Sequence, residues 1–135
     1  MRILIVEDQV YVSSLLADSV RLQGHDAIVA GGGSEGLDLI DREKPDAVFL
    51  DIVMPDLDGV EVLRRIRQRT PDLPVVVITG GASDQQREDL RRLGVVDFVE
   101  KPLLLDQIQQ SLSNVVKLAP RSKGQGSGER NQEGR

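Results

Sequence analysis

The chain has 135 residues, no cysteine, one tyrosine, two phenylalanines and a net charge of −5, from 17 Lys plus Arg against 22 Asp plus Glu. That length fits one domain with its own core, while the missing cysteines exclude disulfides and thiolate metal sites and the acidic balance and sparse aromatics argue against direct nucleic-acid binding. No apolar run reaches the roughly 20 residues of a membrane span, and Met1-Arg2-Ile3-Leu4 leads straight to the acid pair Glu7-Asp8, so neither a membrane helix nor a signal peptide is expected and the location reads as cytoplasmic.

Short apolar runs alternate five times with helical spacing. Ile3 to Val6 forms the first strand signal, and Leu15, Leu16, Ser19 and Val20 mark the first helix. Ala27 to Ala30 is the second strand. It runs into Gly31-Gly32-Gly33, which lacks the Lys and spacing of a phosphate-binding P-loop and reads as a flexible turn. Ser34 to Arg42 is the second helix, with Ser34 as its cap and Leu37, Leu39 and Ile40 inward. Ala47 to Leu50 is a third strand that ends abruptly in Asp51. Asp58-Gly59 opens a third helix in which Val60, Leu63 and Ile66 or Arg67 follow the repeat, with Arg64, Arg65 and Arg69 outward. Pro74 to Thr79 is the fourth strand. Ser83 to Leu93, anchored only by Leu90 and Leu93, is expected to be the most loosely held helix. Val95 to Val99 is the fifth strand and continues to Lys101-Pro102. Leu104 to Lys117 then repeats at Leu105, Ile108, Leu112 and Val115 or Val116, with glutamines outside.

This alternation calls for a parallel sheet with helices on both faces, a small doubly wound α/β fold, because each crossover is right-handed and covers one side. The near-continuous Val/Ile/Leu strands agree with a sheet buried on both faces. Residues 1–118 are read as the domain. From Ala119 to Arg135 four basic residues stand against two acids and no Val, Ile, Leu, Phe or Met occurs, so residues 119–135 read as a disordered, basic, Gly-rich tail or linker remnant, leaving −7 on the domain.

Four strand ends carry a reactive group: Glu7-Asp8 after the first, Asp51 after the third, Thr79 on the fourth and Lys101 just past the fifth. In an open α/β sheet ligands bind outside the carboxyl ends of the strands. Three carboxylates converging there need a cation or a proton, and an all-oxygen set suits Mg²⁺. With Lys101 as a point charge and Thr79 as a hydroxyl donor, the set matches what phosphoryl transfer to a carboxylate requires.

The segments Ile3-Leu4-Ile5-Val6-Glu7-Asp8, Val48-Phe49-Leu50-Asp51-Ile52-Val53-Met54-Pro55-Asp56-Leu57-Asp58-Gly59, Val77-Ile78-Thr79-Gly80 and Asp97-Phe98-Val99-Glu100-Lys101-Pro102 resemble the motifs of response-regulator receiver domains. The resemblance runs from Arg2 to about Lys117. It implies a flavodoxin-like five-stranded sheet of order 2-1-3-4-5. It also implies that Asp51 accepts a phosphoryl group from a histidine of a sensor kinase or phosphotransfer protein. Asp8, Asp51 and the Val53 backbone carbonyl would hold Mg²⁺, with Glu7 acting through water, and Thr79 and Lys101 would bind the phosphoryl oxygens. Phe98 stands at the family's switch aromatic position, so that a turn of Thr79 would draw it inward and alter the surface of helix four, strand five and helix five. Such a domain is not an enzyme acting on an external substrate but a signalling module that catalyses its own phosphorylation and dephosphorylation. It is expected here as a monomer, with no membrane partner and an unknown downstream effector.

Val53 and Gly81 border the hydrolytic water's path in that family and bring no polar side chain, so slow autodephosphorylation is expected. Val10 and Tyr11 read equally as a kinase-docking patch or as core, and His25, between Gly24 and Asp26, as a loop residue. One rival is a binding-only receiver; the intact acid pair, Asp51, Thr79 and Lys101 argue against it. A haloacid-dehalogenase-type phosphatase is the other, but that chemistry normally needs an Asp where Val53 stands.

Overall fold

The computed structural model describes residues 1–118, so the expected tail, residues 119–135, lies outside the described residues. Five strands and five helices alternate: β1 (Arg2–Val6), α1 (Val10–Leu22), β2 (Asp26–Ala30), α2 (Gly33–Glu43), β3 (Ala47–Asp51), α3 (Gly59–Arg69), β4 (Val75–Thr79), α4 (Asp84–Arg92), β5 (Asp97–Glu100) and α5 (Leu105–Leu118). The strands form one parallel sheet in the order β2-β1-β3-β4-β5, the flavodoxin-like topology expected. Because the order reverses at β1 and β3, the crevice between their carboxyl ends is where the crossovers diverge and leave room.

Strand side chains alternate between faces, and each face has its own core. Leu4, Val6, Val48, Leu50, Val75 and Val77 pack with Leu37, Ile40, Leu63, Ile66 and Leu90, which places α2, α3 and α4 on one side. Ile3, Ile5, Phe49, Val76 and Ile78 pack with Leu16, Val20, Ile108, Leu112 and Val115, which places α1 and α5 on the other. Truncating one of these fully buried side chains, such as Leu63→Ala, costs about 2–5 kcal/mol. Among the described residues no helix is long and apolar enough to cross a membrane.

Local details depart from the sequence expectations in physically readable ways. Ser34 does not cap α2; Gly32 occupies the cap position, and the caps come from Asp56, whose oxygens accept from the Gly33 and Ser34 amides at 3.0 Å each. Gly32 and Gly33 are a close-packed entry to α2 in place of a flexible turn, since a methyl on Gly33 would lie 2.8 Å from Val62 Cγ2, while Gly31 has room. At α3 the repeat resolves to Ile66, which is fully buried. Arg67 turns aside and donates to the carbonyls of Leu93, Leu73 and Gly94 at 2.6, 2.7 and 3.0 Å. Gly94, at φ +75°, turns the chain after α4; the Val96 amide then donates to Val75 O at 2.8 Å, and β5 runs from Asp97 in place of the expected Val95.

α4 opens with a capping box, in which Ser83 Oγ accepts from the Gln86 amide at 3.1 Å and Gln86 Oε1 from the Ser83 amide at 2.9 Å. Of its two expected anchors Leu90 is buried, and Leu93, just past the helix, is partly buried against the same core. In α5, Leu105 is exposed and Val116 faces outward, while Ile108, Ser111, Leu112 and Val115 form the inward stripe. Leu103 of the preceding connection packs against the core where Leu105 was expected.

Candidate functional site

The sheet ladder continues one residue past several strand ends and so aims the polar groups. Glu7 N donates to Ala30 O at 3.0 Å, Ile52 N to Ile78 O at 3.1 Å and Lys101 N to Thr79 O at 2.9 Å. These bonds hold Glu7, Asp51 and Lys101 at the carboxyl edge of the sheet, the first two where an apolar run stops and Lys101 one residue beyond Glu100, where β5 ends. Glu7, Asp51 and Thr79 are buried, Asp8 is exposed and Lys101 is half-buried.

Carboxylate oxygens of Glu7, Asp8 and Asp51 all lie within 4.8 Å of one another. Lys101 reaches into this cluster: its Nζ lies 3.1 Å from Glu7 Oε1, 3.4 Å from Asp51 Oδ2 and 3.2 Å from Gln9 Oε1. Glu7 Oε2 accepts from the Gln9 amide at 3.0 Å, and Asp51 Oδ1 from the Val53 amide at 3.1 Å. Burial pushes the Glu7 carboxyl above its ordinary range, the Gln9 amide opposes this, and the Asp51 charge adds to it. Burial works against the Lys101 ammonium, yet its hydrogen bond to Glu7 and the fields of Asp51 and Glu7 outweigh that and hold its pKa above the ordinary value.

Glu7 Oε1 is buried without a well-formed hydrogen bond despite its proximity to Lys101. One ammonium shared among two buried acids leaves this acceptor under-satisfied, and an oxygen-only donor set with an orphaned lone pair fits a hard divalent cation. The cluster opens on a crevice of about 610 Å³ whose walls include Val53, Met54, Pro55 and Gly80.

The Thr79 hydroxyl accepts from the Gly81 and Ala82 amides at 3.1 and 2.8 Å, so in this conformation it closes the turn after β4. Phe98 on β5 is half-buried, with the guanidinium of Arg87 5.5 Å and that of Arg91 5.6 Å from its ring centre. Arg87 also pairs with Glu100. Val10 and Tyr11 are exposed, so the core-packing alternative does not hold for them. Tyr11 lines a second groove of about 450 Å³ together with Leu15, Pro102 and Leu103. The His25 ring bonds the amino terminus at 3.0 Å, away from the crevice.

Two participants escaped sequence reasoning. Gln9 touches both Lys101 and, through its backbone, Glu7; its only signal was its place directly after the acid pair. Asp56 carries no signal beyond its place in the motif that follows Asp51, because its partners lie 22 and 23 residues away.

A family model described as response regulator receiver domain matches residues 3–113. The chain is 40% identical over 108 residues to response regulator MprA of Mycolicibacterium vanbaalenii, covering 80% of this chain and 47% of that protein. It is 38% identical over the same length to the MprA of Mycobacterium leprae. The chain thus spans about half the length of these curated relatives. Among solved structures, the receiver domain of NtrX from Brucella abortus superposes with a TM-score of 0.80 at 32% identity, covering 87% of this chain and 99% of that one. A CheY-like receiver domain protein from Methanospirillum hungatei reaches 0.81 at 24% identity over 87% and 94% of the two chains, a likeness of fold. The strand order, the acid cluster at the β1–β3 crevice and the match over residues 3–113 together establish that the chain belongs to the response regulator receiver domain family of two-component signalling.

Proposed function

We propose that Asp51 is the phosphoacceptor of this receiver, taking a phosphoryl group from a phosphohistidine of a sensor kinase or phosphotransfer protein. The observation that carries the reading is a buried Asp51 carboxylate beside two further acids, with the Lys101 ammonium 3.4 Å away and an open crevice in front. In the transfer an Asp51 oxygen forms the new O–P bond, the N–P bond breaks, and the imidazole nitrogen keeps the electron pair. Asp8, Asp51 and the Val53 carbonyl would hold Mg²⁺, with Glu7 contributing through water. The ion would supply positive charge against the phosphoryl oxygens. Lys101 stays in the crevice as a second positive charge, steadied by Gln9. Thr79 has a hydroxyl proton to donate, and its rotation away from the Gly81 and Ala82 amides would vacate space for Phe98.

Exposed Val10 and Tyr11, with the groove beside them, offer the partner an apolar contact adjoining the crevice. The output of the whole protein follows from whatever reads the α4-β5-α5 surface. Incubation with Mg²⁺ and a phosphorylated histidine kinase should label the chain with an acyl phosphate mapped by mass spectrometry to Asp51. Asp51→Asn should abolish the label, and a label retained in that variant would refute the assignment.

A further inference from the structure

Asp56 lies at the outer bend of the loop that leaves β3, exposed to solvent, yet both of its oxygens are engaged by the first amides of α2. A helix start leaves N–H groups without partners inside the helix, and a carboxylate there satisfies them and meets the positive end of the helix dipole. These amide bonds, to Ser34 and then Gly33, hold the Asp56 carboxyl below its ordinary range. The approach is close because no side chain intervenes: a methyl on Gly32 would lie 3.0 Å from Asp56 Oδ2.

The same loop is fixed at its base. Gly59 N donates to Ile52 O at 3.0 Å, and a methyl on Gly59 would fall 2.4 Å from Ile52 Cα. Met54 is buried, so between its base and its outer bend the loop has little freedom, and Val53, whose amide binds Asp51, sits on that restrained segment. The other end of the link is equally firm. Gly36 brings α2 so close to β1 that a methyl there would lie 2.9 Å from Val6 Cγ2, and Val6 precedes Glu7 and Asp8. A chain of contacts therefore runs from the acid pair through α2 and Asp56 to the segment bearing Val53.

We propose that Asp56 is a positioning residue: by clamping the β3–α3 loop to α2, it keeps the Val53 backbone in register with Glu7 and Asp8 across the crevice. The proposal rests on the reading of Asp8, Asp51 and the Val53 carbonyl as the Mg²⁺ ligands. Ligand sets tolerate misplacement of only about 0.5 Å before affinity falls, so a loosened loop weakens cation binding while the fold survives.

The test compares the full chain with Asp56→Ala, Asp56→Asn and Gly32→Ala, together with Ser111→Ala as a remote control that removes a bond to Asp97. Three quantities are measured: amide exchange of Val53 without metal, Mg²⁺ affinity by calorimetric titration, and urea stability. In Asp56→Ala, Val53 exchange should rise at least fivefold and Mg²⁺ affinity should fall about five- to tenfold. Asp56→Asn, which keeps one acceptor oxygen, should recover part of both. Gly32→Ala, which crowds the carboxylate, should mimic the loss without adding to it in the double variant. Ser111→Ala should change stability alone. Unchanged Val53 exchange in Asp56→Ala overturns the proposal. So does a stability loss with Mg²⁺ affinity within twofold of the parent, which would make Asp56 a helix cap and nothing more. The parallel Asp51→Asn titration separates the two failures: if it still binds Mg²⁺ as the parent does, the crevice reading falls and the proposal with it; if binding is lost there but not in Asp56→Ala, only the proposal falls.

Discussion

Replacing Arg87 and Arg91 with Ala should bias the receiver toward its switched conformation. Both guanidinium groups stand over the Phe98 ring, at 5.5 and 5.6 Å, and Arg87 also pairs with Glu100, whose side chain is 65% exposed. Each cation–π contact at such a site contributes about 0.5–1 kcal/mol, and the ion pair, screened by solvent at so exposed a carboxylate, adds close to nothing. Removing both arginines therefore takes about 1–2 kcal/mol from the conformation in which Phe98 rests against α4. Each 1.4 kcal/mol is roughly tenfold in population, so a switched state occupied at about 1% would rise to about 5–20%. Alanine is the better helix former, so α4 itself should persist. The assay is the rate of Asp51 phosphorylation by a small acyl-phosphate donor, read with the ring resonances of Phe98 in the unphosphorylated protein. The rate should rise about five- to twentyfold, with the ring signals displaced toward those seen with Mg²⁺ and beryllofluoride. A rate within twofold of the parent and unmoved ring signals, with α4 shifts intact, would refute the idea that these arginines restrain Phe98.

Glu7 gives the pH dependence. Its folded pKa is raised above 4.5, so the stability it contributes is fully present below pH 4.5 and is lost as the pH rises through the folded value. Metal-free urea midpoints should fall across that window in the parent and much less in Glu7→Gln, and parallel profiles would contradict the assignment. Val53 is 63% exposed, whereas Gly81 has φ +154°, so a polar group is better introduced at Val53. Val53→Asn should shift the acyl-phosphate half-life by about an order of magnitude in either direction if this position governs access to the hydrolytic water; an unchanged half-life removes it from that role. Arg67→Ala loses three charged bonds to carbonyls and should cost about 2–4 kcal/mol in chemical denaturation; a loss below about 1 kcal/mol would mean that water replaces them.

The parts of this fold that sequence exposed are those whose cause is local. Strands such as Ile3 to Val6 and Val75 to Thr79 are apolar runs because the sheet is covered on both faces, and the polar residue ending each run sits at its carboxyl edge. The crevice was legible for that reason: Asp51 and Thr79 end their strands, Glu7, Asp8 and Lys101 lie just past theirs, and parallel topology brings such ends together. What stayed hidden depends on contacts remote in the chain. Ser34 looked like a cap because it is the usual residue type at a helix start, but Asp56, two elements away, reaches those amides first. Val95 looks like strand, yet it follows the turn at Gly94 whose carbonyl Arg67 holds, and the first bond to β4 comes from the Val96 amide. Leu105 has the right spacing for the core of α5, and Leu103 packs there instead.

The Arg67 fork gives α4 unequal ends. Leu93 and Gly94, just past its last turn, are tied to α3, while the Gly81-Ala82 segment before it is held through two amides that donate to the Thr79 hydroxyl. Were Thr79 to release those amides and Arg87 to leave Phe98 and Glu100, a helix restrained this way would pivot about its carboxyl end. With nine residues at about 1.5 Å each it is about 13 Å long, so a tilt of about 10° displaces Ser83 by about 2 Å while Leu93 stays in place. On the proposed mechanism, a reader of this receiver would sense phosphorylation at the amino-terminal end of α4, beside Thr79, more than at the end that Arg67 holds.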